Sequence, residues 1–307
     1  MTTVEVSAPR RWHRPLMALT WATVALAVIS GIGLFADSRV LTGVPIWLKP
    51  FKFSVSFAIY AWTLAWLFSI MPRRSRVAEW AGTIIVAVTV AELAIVVTQV
   101  IRGTTSHYNV STPLNETLWS IMGTSIMVLF LAHLVIGIGV LRQRIADRAA
   151  AYAIRLGLFI SLAGMMTGFT MTSRQTGVAG VAGAHTVGLP DGGPGMPLTG
   201  WSTVGGDLRI GHFVGLHALQ VLPLLAFALA RWAGHRIDAA TQARLVLVAG
   251  ISYGVLVPLL TWQALRSSPL LQPDGPVLLA FAVLVLGTAA SAGMVLSRAR
   301  RPEMVTA

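Results

Sequence analysis

The sequence contains no cysteine and few charged residues. Of its 307 residues, 11% are charged and 55% are hydrophobic, whereas about a quarter of the residues of a soluble domain are charged. The absence of cysteine excludes disulfides, thiolate metal ligands and cysteine nucleophiles. Glycine-rich nucleotide loops and the G-x-S-x-G nucleophile motif are also missing. Together with a mean hydropathy of +0.73, the shortage of charge excludes an ordinary soluble enzyme and indicates a protein that folds in lipid.

Long apolar runs recur along the whole chain. A hydrocarbon core about 30 Å thick is crossed by about 20 apolar helical residues, and eight runs of this kind occur. The sequence therefore predicts an all-α fold, a polytopic membrane helix bundle of about eight transmembrane helices. This bundle is a single domain over 15–297, between tails at 1–14 and 298–307. The predicted spans are 16–35, 53–71, 79–101, 117–141, 152–172, 210–230, 245–265 and 276–296.

One connection is much longer than the others. The 38 residues from Thr172 to Arg209 contain ten glycines and three prolines. Proline and tight turns limit the conformational freedom of a chain, and this loop also holds His185 and Trp201. We expect the loop to be an ordered cover over one end of the bundle, with a solvated linker as the alternative.

The cations are divided unequally between the two sides of the predicted bundle. Short cytoplasmic loops are enriched in Lys and Arg, and alternate sides here hold 16 and 7 of the 23 cations. Both termini are therefore predicted to be cytoplasmic, and the formal charge of +12 reflects membrane orientation, not a nucleic-acid partner. The richer side holds Arg10, Arg11, Arg14, Arg73, Arg74, Arg76, Arg142, Arg144, Arg148, Arg155, Arg231, Arg236, Arg244, Arg298, Arg300 and Arg301. The other side holds Arg39, Lys49, Lys52, Arg102, Arg174, Arg209 and Arg266.

Nearly all the side chains that could bind a ligand or take part in catalysis lie on the side that is poor in cations. The predicted orientation places this side outside. They fall in the segments 47–53, 102–109, 185–197 and 205–220. We therefore expect an outward-facing polar cavity built mainly by the second, third and sixth spans and covered by the loop 172–209. The candidate ligand-binding residues are Lys49, Lys52, Gln99, Arg102, His107, His185, Asp191, Asp207, Arg209 and Gln220.

The sixth span carries four polar side chains on one broad face. At about 100° per residue, Arg209, His212, His217 and Gln220 lie within about 140° of one another. A polar face of this width is costly against lipid, so it is predicted to face the bundle interior. Because imidazole is a common metal ligand, His212 and His217 are candidate metal ligands, and His217 is also a candidate catalytic residue. Hydrogen bonding between helices is the alternative role.

The histidines alone do not identify the cofactor. A metal or haem is compatible with them, although no HxxxH or HExxH spacing is present. His133 is a poor partner for His217 across a haem, because at 1.5 Å per residue the two differ in depth by about 12 Å. A five-coordinate haem, or a mixed site that uses the loop residues His107 and His185, stays open.

Glu92 is an acid near the middle of the third span. Ten residues, or about 15 Å, separate it from Arg102, and Thr89 and Gln99 share its helix face. An intramembrane carboxyl group is either paired with a cation or carried protonated. Glu92 is therefore a candidate catalytic proton carrier or counter-ion, with a structural buried pair as the alternative. Its expected partners are Arg209, Arg102 or a histidine of the sixth span.

Cations stand at several outer helix starts. Lys49, Lys52 and Arg209 lie in or beside helix N-termini, where the helix dipole disfavours positive charge. A bound anion would relieve this conflict, and two Gly-Gly pairs, at 192–193 and 205–206, allow backbone nests that also bind anions. An acidic ligand, a lipid headgroup, a quinone oxygen or a haem propionate would fit. In the alternative, the cations are already satisfied by water and by Asp191, Asp207 and Glu116.

A short sequence similarity, which we call the internal echo, occurs at the ends of the third and seventh spans. Gln99-Val-Ile-Arg102 and Gln263-Ala-Leu-Arg266 both occupy outer span ends, and both spans run in the same direction. A parallel four-plus-four repeat would place them in equivalent positions, and a chance match is the alternative.

Several segments of the chain resemble those of a known group of proteins. They are Lys49-Pro-Phe-Lys-Phe53, Arg102-Gly-Thr-Thr-Ser-His107, His185-Thr-Val-Gly188 with Asp191-Gly-Gly193, Gly200-Trp-Ser202, and Gly206-Asp-Leu-Arg209 through His217-Ala-Leu-Gln220. The pattern is similar to a widespread family of bacterial multi-pass membrane proteins of uncharacterised activity, and it covers roughly 40 to 225. The resemblance implies a membrane fold and transfers no catalytic role.

The leading functional hypothesis is a membrane-embedded ligand-binding or redox-type site, holding a metal, a haem or a quinone. A proton-coupled transporter of a small anion or amphiphile that uses Glu92 is the second hypothesis, and a structural or assembly subunit of a membrane complex is the third. All three place the chain in a bacterial inner membrane. The expected partners are the lipid bilayer and a small anionic or amphiphilic ligand, and the oligomeric state stays open.

Overall fold

The computed structural model describes residues 12–71, 75–174 and 176–299. Most of the two predicted tails lies outside these ranges. Six arginines that support the predicted orientation also lie outside the described residues, namely Arg10, Arg11, Arg73, Arg74, Arg300 and Arg301.

The described chain is built almost entirely of helices. Seven of them, counting 148–172 as one, are long and apolar enough to cross a membrane, and a bent helix pair makes an eighth span if it crosses as a unit. The prediction of an all-α polytopic bundle with about eight spans is therefore confirmed. The helices are α1 (Arg14–Ala36), α2 (Leu48–Ile70), α3 (Arg76–Ile101), α4 (Pro113–Leu141), α5 (Arg148–Thr167), α6 (Phe169–Thr172), α7 (Arg209–Leu216), α8 (Ala218–Ala228), α9 (Ala239–Leu265) and α10 (Gly275–Ala299).

Polar caps set the starts of several helices. The Thr112 hydroxyl accepts the backbone N–H of Asn115 before α4, whose first residue is proline. Asp147 and Asp238 accept backbone N–H groups at the starts of α5 and α9 in the same way. These bonds satisfy donors that a helix N-terminus leaves free, so the spans begin at defined residues.

The second span starts earlier than predicted, at Leu48 instead of 53. Pro50 lies in its first turn, where proline is tolerated because the N–H groups of that turn have no helical partner. Lys49 and Lys52 are therefore part of α2, within its first two turns. The predicted span began only at 53, because a search for apolar runs excludes the charged residues Lys49 and Lys52. Helical hydrogen bonding nevertheless includes both residues.

The sixth span is broken, and the prediction of one continuous helix over 210–230 is wrong. The chain bends by 46° between α7 and α8 at His217. Gly215 lies just before the break, and a Cβ on it would be 2.6 Å from the Cα of Gly164. Glycine is a weak helix former, and its close packing on α5 sets the direction of α7. The predicted single polar face is consequently divided into an upper part with His212 and a lower part with Gln220.

The helices pack as neighbouring pairs that join into one bundle. α1 packs on α2, α3 packs on α4, and α5 packs on α7, α8 and α9, while α10 packs on α9. Glycines permit the closest approaches, because small residues allow helix backbones to meet in a membrane. A Cβ on Gly211 would lie 2.2 Å from the Thr261 hydroxyl, and one on Gly157 would lie 2.9 Å from the Cα of Leu219.

The two ends of the bundle differ in character. A large apolar core that includes Leu64, Phe68, Ile85, Ile136 and Ile154 fills the half toward the arginine-rich loops. At the opposite end, the segments 37–47, 102–112, 173–208 and 266–274 connect the helices, and we call this end the loop-rich end.

Short strands order the segments at the loop-rich end. β1 (Val40–Leu41) pairs with β2 (Val44–Pro45), and β3 (Thr186–Val187) pairs with β4 (Gly206–Asp207). The turn of the first hairpin lies against the long loop, because a Cβ on Gly43 would be 2.5 Å from the carbonyl oxygen of Gly192. The loop 172–209 is thus built into the end of the bundle, as predicted for an ordered cover.

The internal echo extends to local structure. The Gln99 amide donates to the carbonyl of Thr105, and the Gln263 amide donates to the carbonyl of Pro269, six residues on in both cases. The residue four positions after each glutamine has positive φ, at Gly103 and at Ser267. Both helices therefore end in the same turn, although a repeat over the whole chain stays a prediction.

Candidate functional site

A cavity of about 630 Å³ opens between the helices and loops of the loop-rich end. Its walls come from the start of α2, the end of α3, the start of α7 and the loops that join these helices. Ligand sites typically measure about 300–1,000 Å³, so this cavity is large enough for an organic molecule. Its charged and aromatic polar lining consists of Lys49, Lys52, Arg174, Arg209, Asp191, His107, His185, His212 and Tyr108.

The charge around the cavity is positive. Four cations line it, and Asp191 is the only acid among its lining residues. The carboxylate of Asp207 lies beside the cavity and pairs with Arg209 at 2.5 Å. Four cations against two acids leave about two positive charges in a partly buried space, where electrostatic interactions are stronger than in water.

Lys49 is a cation of the cavity without a polar partner among the described residues. Its ammonium group makes no hydrogen bond or ion pair with any of them and lies over the ring of Phe53, 5.8 Å from the centroid. The Lys52 ammonium, by contrast, donates to the carbonyl of Thr199. Burying a charge without a partner is costly, so an anion bound beside Lys49 would be strongly favoured.

Arg209 is held by Asp207. The fully buried Asp207 carboxylate accepts hydrogen bonds from the Arg209 Nε at 2.9 Å and from its backbone N–H at 3.0 Å. The Nη2 group also donates to the carbonyl of Gly200 at 2.6 Å. The Nη1 group has no partner among the described residues, so its two N–H donors are free to bind a ligand. Asp207 thus positions Arg209 and does not line the cavity itself.

His185 and Asp191 form a pair in the long loop. The His185 Nδ1 lies 2.7 Å from an Asp191 oxygen, and the backbone N–H groups of His185 and Thr186 donate to the same carboxylate. Burial by itself would raise the pKa of Asp191, but these hydrogen bonds outweigh it and hold the pKa below its usual value. Burial lowers the pKa of His185, so the pair is a carboxylate beside a neutral imidazole.

Two further histidines line the same cavity. The His212 Nδ1 lies 2.7 Å from the carbonyl oxygen of Gly164. His107 packs against the rings of Phe53 and Trp119. Burial first, and then the charge of Lys49, lower the pKa of His107 well below its usual value. Burial likewise raises the pKa of Tyr108, which keeps its phenol protonated as a hydrogen-bond donor.

Like Asp207, the predicted ligand-binding residues Gln99 and Arg102 lie outside the cavity lining. Gln99 is buried, and its amide donates to Asn115 and to the carbonyl of Thr105. Arg102 is exposed and donates to Gln99 at 2.6 Å and to Asn115 at 2.9 Å. Together they connect the end of α3 to the start of α4, which is a structural role.

His217 and Gln220 also lie away from the cavity. The Gln220 oxygen accepts from His217 Nδ1 at 3.2 Å, and the Gln220 amide donates to Thr63 at 3.3 Å. Because Nδ1 donates, the neutral ring accepts at Nε2 from the Ser56 hydroxyl, at 3.3 Å. Every polar atom of the His217 ring is therefore occupied by helix contacts between α2 and the α7–α8 break.

His133 makes a second network of the same kind. Its Nδ1 lies 2.8 Å from the Tyr60 hydroxyl and its Nε2 lies 3.2 Å from Ser161. Ser161 in turn donates to the carbonyl of Leu158. These bonds join α2, α4 and α5 in the bundle interior.

Glu92 lies below the cavity floor. It is 1% exposed, and its Oε1 has no hydrogen-bond partner in the described ranges. Thr89 and Gln99 are buried with it, as their predicted shared face requires. In the described part of the chain, none of the expected partners bonds to Glu92. Lys49 is the cation whose charge acts on it.

The donor set does not favour a bound metal cation. Among the described residues, no three His, Asp or Glu side chains are arranged to hold a metal ion. Of the candidate metal ligands, His212 lies in α7 and His217 lies at the helix break, and Nδ1 of each is already bonded. Four cations around the cavity would also repel a metal ion.

Sequence reasoning missed Arg174 and Tyr108 as site residues. Arg174 lines the cavity and makes no hydrogen bond or ion pair with the described residues. The sequence signal that could have identified Arg174 is its position directly after the fifth span, on the side of the candidate site. Tyr108 follows His107 in a segment already singled out, but its contact with the long loop depends on tertiary packing.

Comparison with protein-family models, with curated proteins and with solved structures found no match for this chain.

Proposed function

We propose that the protein is an anion-binding receptor of a bacterial inner membrane, with the cavity at the loop-rich end open to the outside. The observation that carries this proposal is the unpartnered ammonium of Lys49 in a cavity with a surplus of positive charge. The unequal distribution of cations supports the orientation, because the loop-rich end is the side with fewer Lys and Arg residues.

The ligand has an organic part as well as a charge. The cavity is much larger than an inorganic anion, and apolar side chains such as Phe53, Val96, Val100, Met171 and Phe213 form part of its wall. Ligand sites commonly combine an apolar wall with a few polar groups that fix orientation. A small organic anion or an amphiphile with an anionic headgroup matches this lining.

Transport is the second candidate, and Glu92 favours it. A buried carboxyl group without a hydrogen-bond partner, one helical turn below the cavity residue Val96, is a typical proton carrier in membrane proteins. The apolar core around Phe68 and Ile85 separates Glu92 from the arginine-rich end, so binding ranks above transport. Uptake of the probe below into proteoliposomes distinguishes the two.

The test is a binding measurement on a Lys49→Met variant of the full-length protein. We expect propyl phosphate to bind the wild-type protein and uncharged propanol not to bind, in calorimetric titrations. Loss of a charged hydrogen-bond donor should weaken binding of the phosphate about 10- to 100-fold. Arg266→Gln is the control, because Arg266 lies at the same end but pairs with Asp274 outside the cavity. Equal affinity of Lys49→Met and wild type would contradict the proposal.

A further inference from the structure

The hydrogen-bonding state of two cavity histidines identifies the class of anion. A backbone carbonyl oxygen only accepts hydrogen bonds, so the His212 Nδ1 at 2.7 Å from the Gly164 oxygen carries a proton. A carboxylate also only accepts, so the His185 Nδ1 at 2.7 Å from Asp191 carries a proton as well. A neutral imidazole has one N–H. The Nε2 of each ring therefore holds a lone pair.

Both rings remain neutral in this setting. The His185 side chain is 21% exposed and lies near Arg209 and Lys49, and His212 lies near His185. Additional positive charge is unfavourable next to the four cations of the cavity. The tautomers are fixed by tertiary contacts, as second-partner hydrogen bonds commonly fix a histidine.

The two lone pairs have no partner among the residues that the structure describes. Neither the His185 Nε2 nor the His212 Nε2 makes a hydrogen bond with a described residue, and both residues line the cavity. They are acceptors in a site whose free cationic groups, the Lys49 ammonium, the Arg174 guanidinium and the Arg209 Nη1, are donors. The cavity thus presents fixed acceptors in addition to its positive charge.

We propose that the ligand is an anion that also carries hydroxyl groups, which donate to His185 and His212 while the anionic group binds the cations. A glycerol phosphate unit has this chemistry, either free in solution or as the headgroup of phosphatidylglycerol. This inference rests on the proposed anion-binding function and narrows it to hydroxylated anions.

The experiment compares matched ligands that differ only in hydroxyl groups. The soluble pair is glycerol 3-phosphate and propyl phosphate, measured by calorimetry on the full-length protein. The lipid pair is phosphatidylglycerol and phosphatidylpropanol, measured by native mass spectrometry. We expect the hydroxylated member of at least one pair to bind about tenfold more tightly, because hydroxyl donors satisfy otherwise unpaired acceptors. A preference in one pair alone identifies the source as free or lipid-bound.

Histidine variants test the assigned atoms. In His185→Asn and His212→Asn, the amide nitrogen replaces the Nδ1 donor and the Nε2 acceptor is lost, so the preference should fall to about one. His212→Gln places an amide oxygen near the Nε2 position and should keep part of the preference, which guards against a folding defect. His235→Asn is the control, because His235 is exposed in the turn after α8.

The outcomes separate the two proposals. Equal affinity for both members of both pairs would overturn the hydroxylated-anion inference and leave anion binding intact. A preference that survives in both asparagine variants would also overturn it. If no member of either pair binds, the proposed function itself is wrong.

Discussion

Two groups of polar side chains lie within the bundle, and they differ in how completely they are bonded. In the interior network, which comprises Tyr60, His133 and Ser161 together with Ser56, His217 and Gln220, each histidine nitrogen has a partner. In the cavity, there is no partner among the described residues for the Lys49 ammonium, the Arg174 guanidinium, the Arg209 Nη1 or the Nε2 atoms of His185 and His212. Histidines of the same chemistry therefore hold helices together in one region and face an open cavity in the other.

The difference matters because the hydrogen-bond partners of a polar side chain indicate its role in a low-dielectric environment. A buried polar group without a partner costs free energy, so a fold keeps such groups where something else will bind them. By this criterion His217 belongs to the structure and His212 to the site, although they are five residues apart.

The largest expected effect comes from Asp207, which holds Arg209 in place. Asp207→Asn removes the buried carboxylate and leaves the guanidinium, whose side chain is 20% exposed, without its counter-ion. Breaking a buried ion pair costs about 3–5 kcal/mol. Thermal unfolding followed by the fluorescence of the ten tryptophans should show this loss.

The control for Asp207 is an ion pair on the surface. Asp274→Asn breaks the pair with Arg266, whose two side chains are 39% and 34% exposed, and exposed pairs contribute about 0–1 kcal/mol. Similar losses in the two variants would contradict the distinct role assigned to Asp207.

An intermediate effect is expected in the interior network. His133→Phe keeps an aromatic ring but removes the hydrogen bonds to Tyr60 and Ser161, so the free energy of unfolding should fall by about 1–3 kcal/mol. Affinity for propyl phosphate in calorimetry should stay at the wild-type value. A loss of affinity for propyl phosphate in His133→Phe would show that the interior network is part of the site, so the two groups of polar side chains would not have distinct roles.

The smallest effect concerns pH and the cavity histidine His107. Its pKa is lowered by burial and by the facing charge of Lys49, so below its unfolded pKa the unfolded chain binds more protons than the folded chain. Stability is therefore expected to fall as the pH decreases from 7.5 to 6, by about 1 kcal/mol from this residue.

The measurement for His107 is thermal unfolding at both pH values in the wild-type protein and in His107→Phe. The phenylalanine ring occupies the place between Phe53 and Trp119 without titrating, so the decrease between pH 7.5 and 6 should be smaller. A decrease as large as in the wild type would assign the pH dependence to other groups.

The sequence alone was sufficient for the all-α membrane fold and for the end of the bundle at which several of the candidate residues meet. Apolar runs of span length require helices, because only internal hydrogen bonding satisfies a backbone in lipid. Charged and polar side chains were also placed correctly at one end of the bundle, where Lys49, Lys52, His107, His185, Asp191 and Arg209 do meet in or beside one cavity.

Helical periodicity was insufficient for the sixth span, since it assumes a straight helix. The bend at His217 arises where α7 meets Gly164 of α5, and a contact between distant residues has no signature in local spacing. The same reason explains why Arg174 was missed and Arg102 was included.

The sequence by itself determined that the protein folds in lipid, because it consists of long apolar runs that are separated by a few charged residues. What only the tertiary structure decided is which polar atoms remain unbonded. Hydrogen-bond partners such as Gly164 for His212 or Asp207 for Arg209 are chosen when helices pack. The unbonded polar atoms, on Lys49, Arg174, Arg209, His185 and His212, define the chemistry that the cavity offers to a ligand.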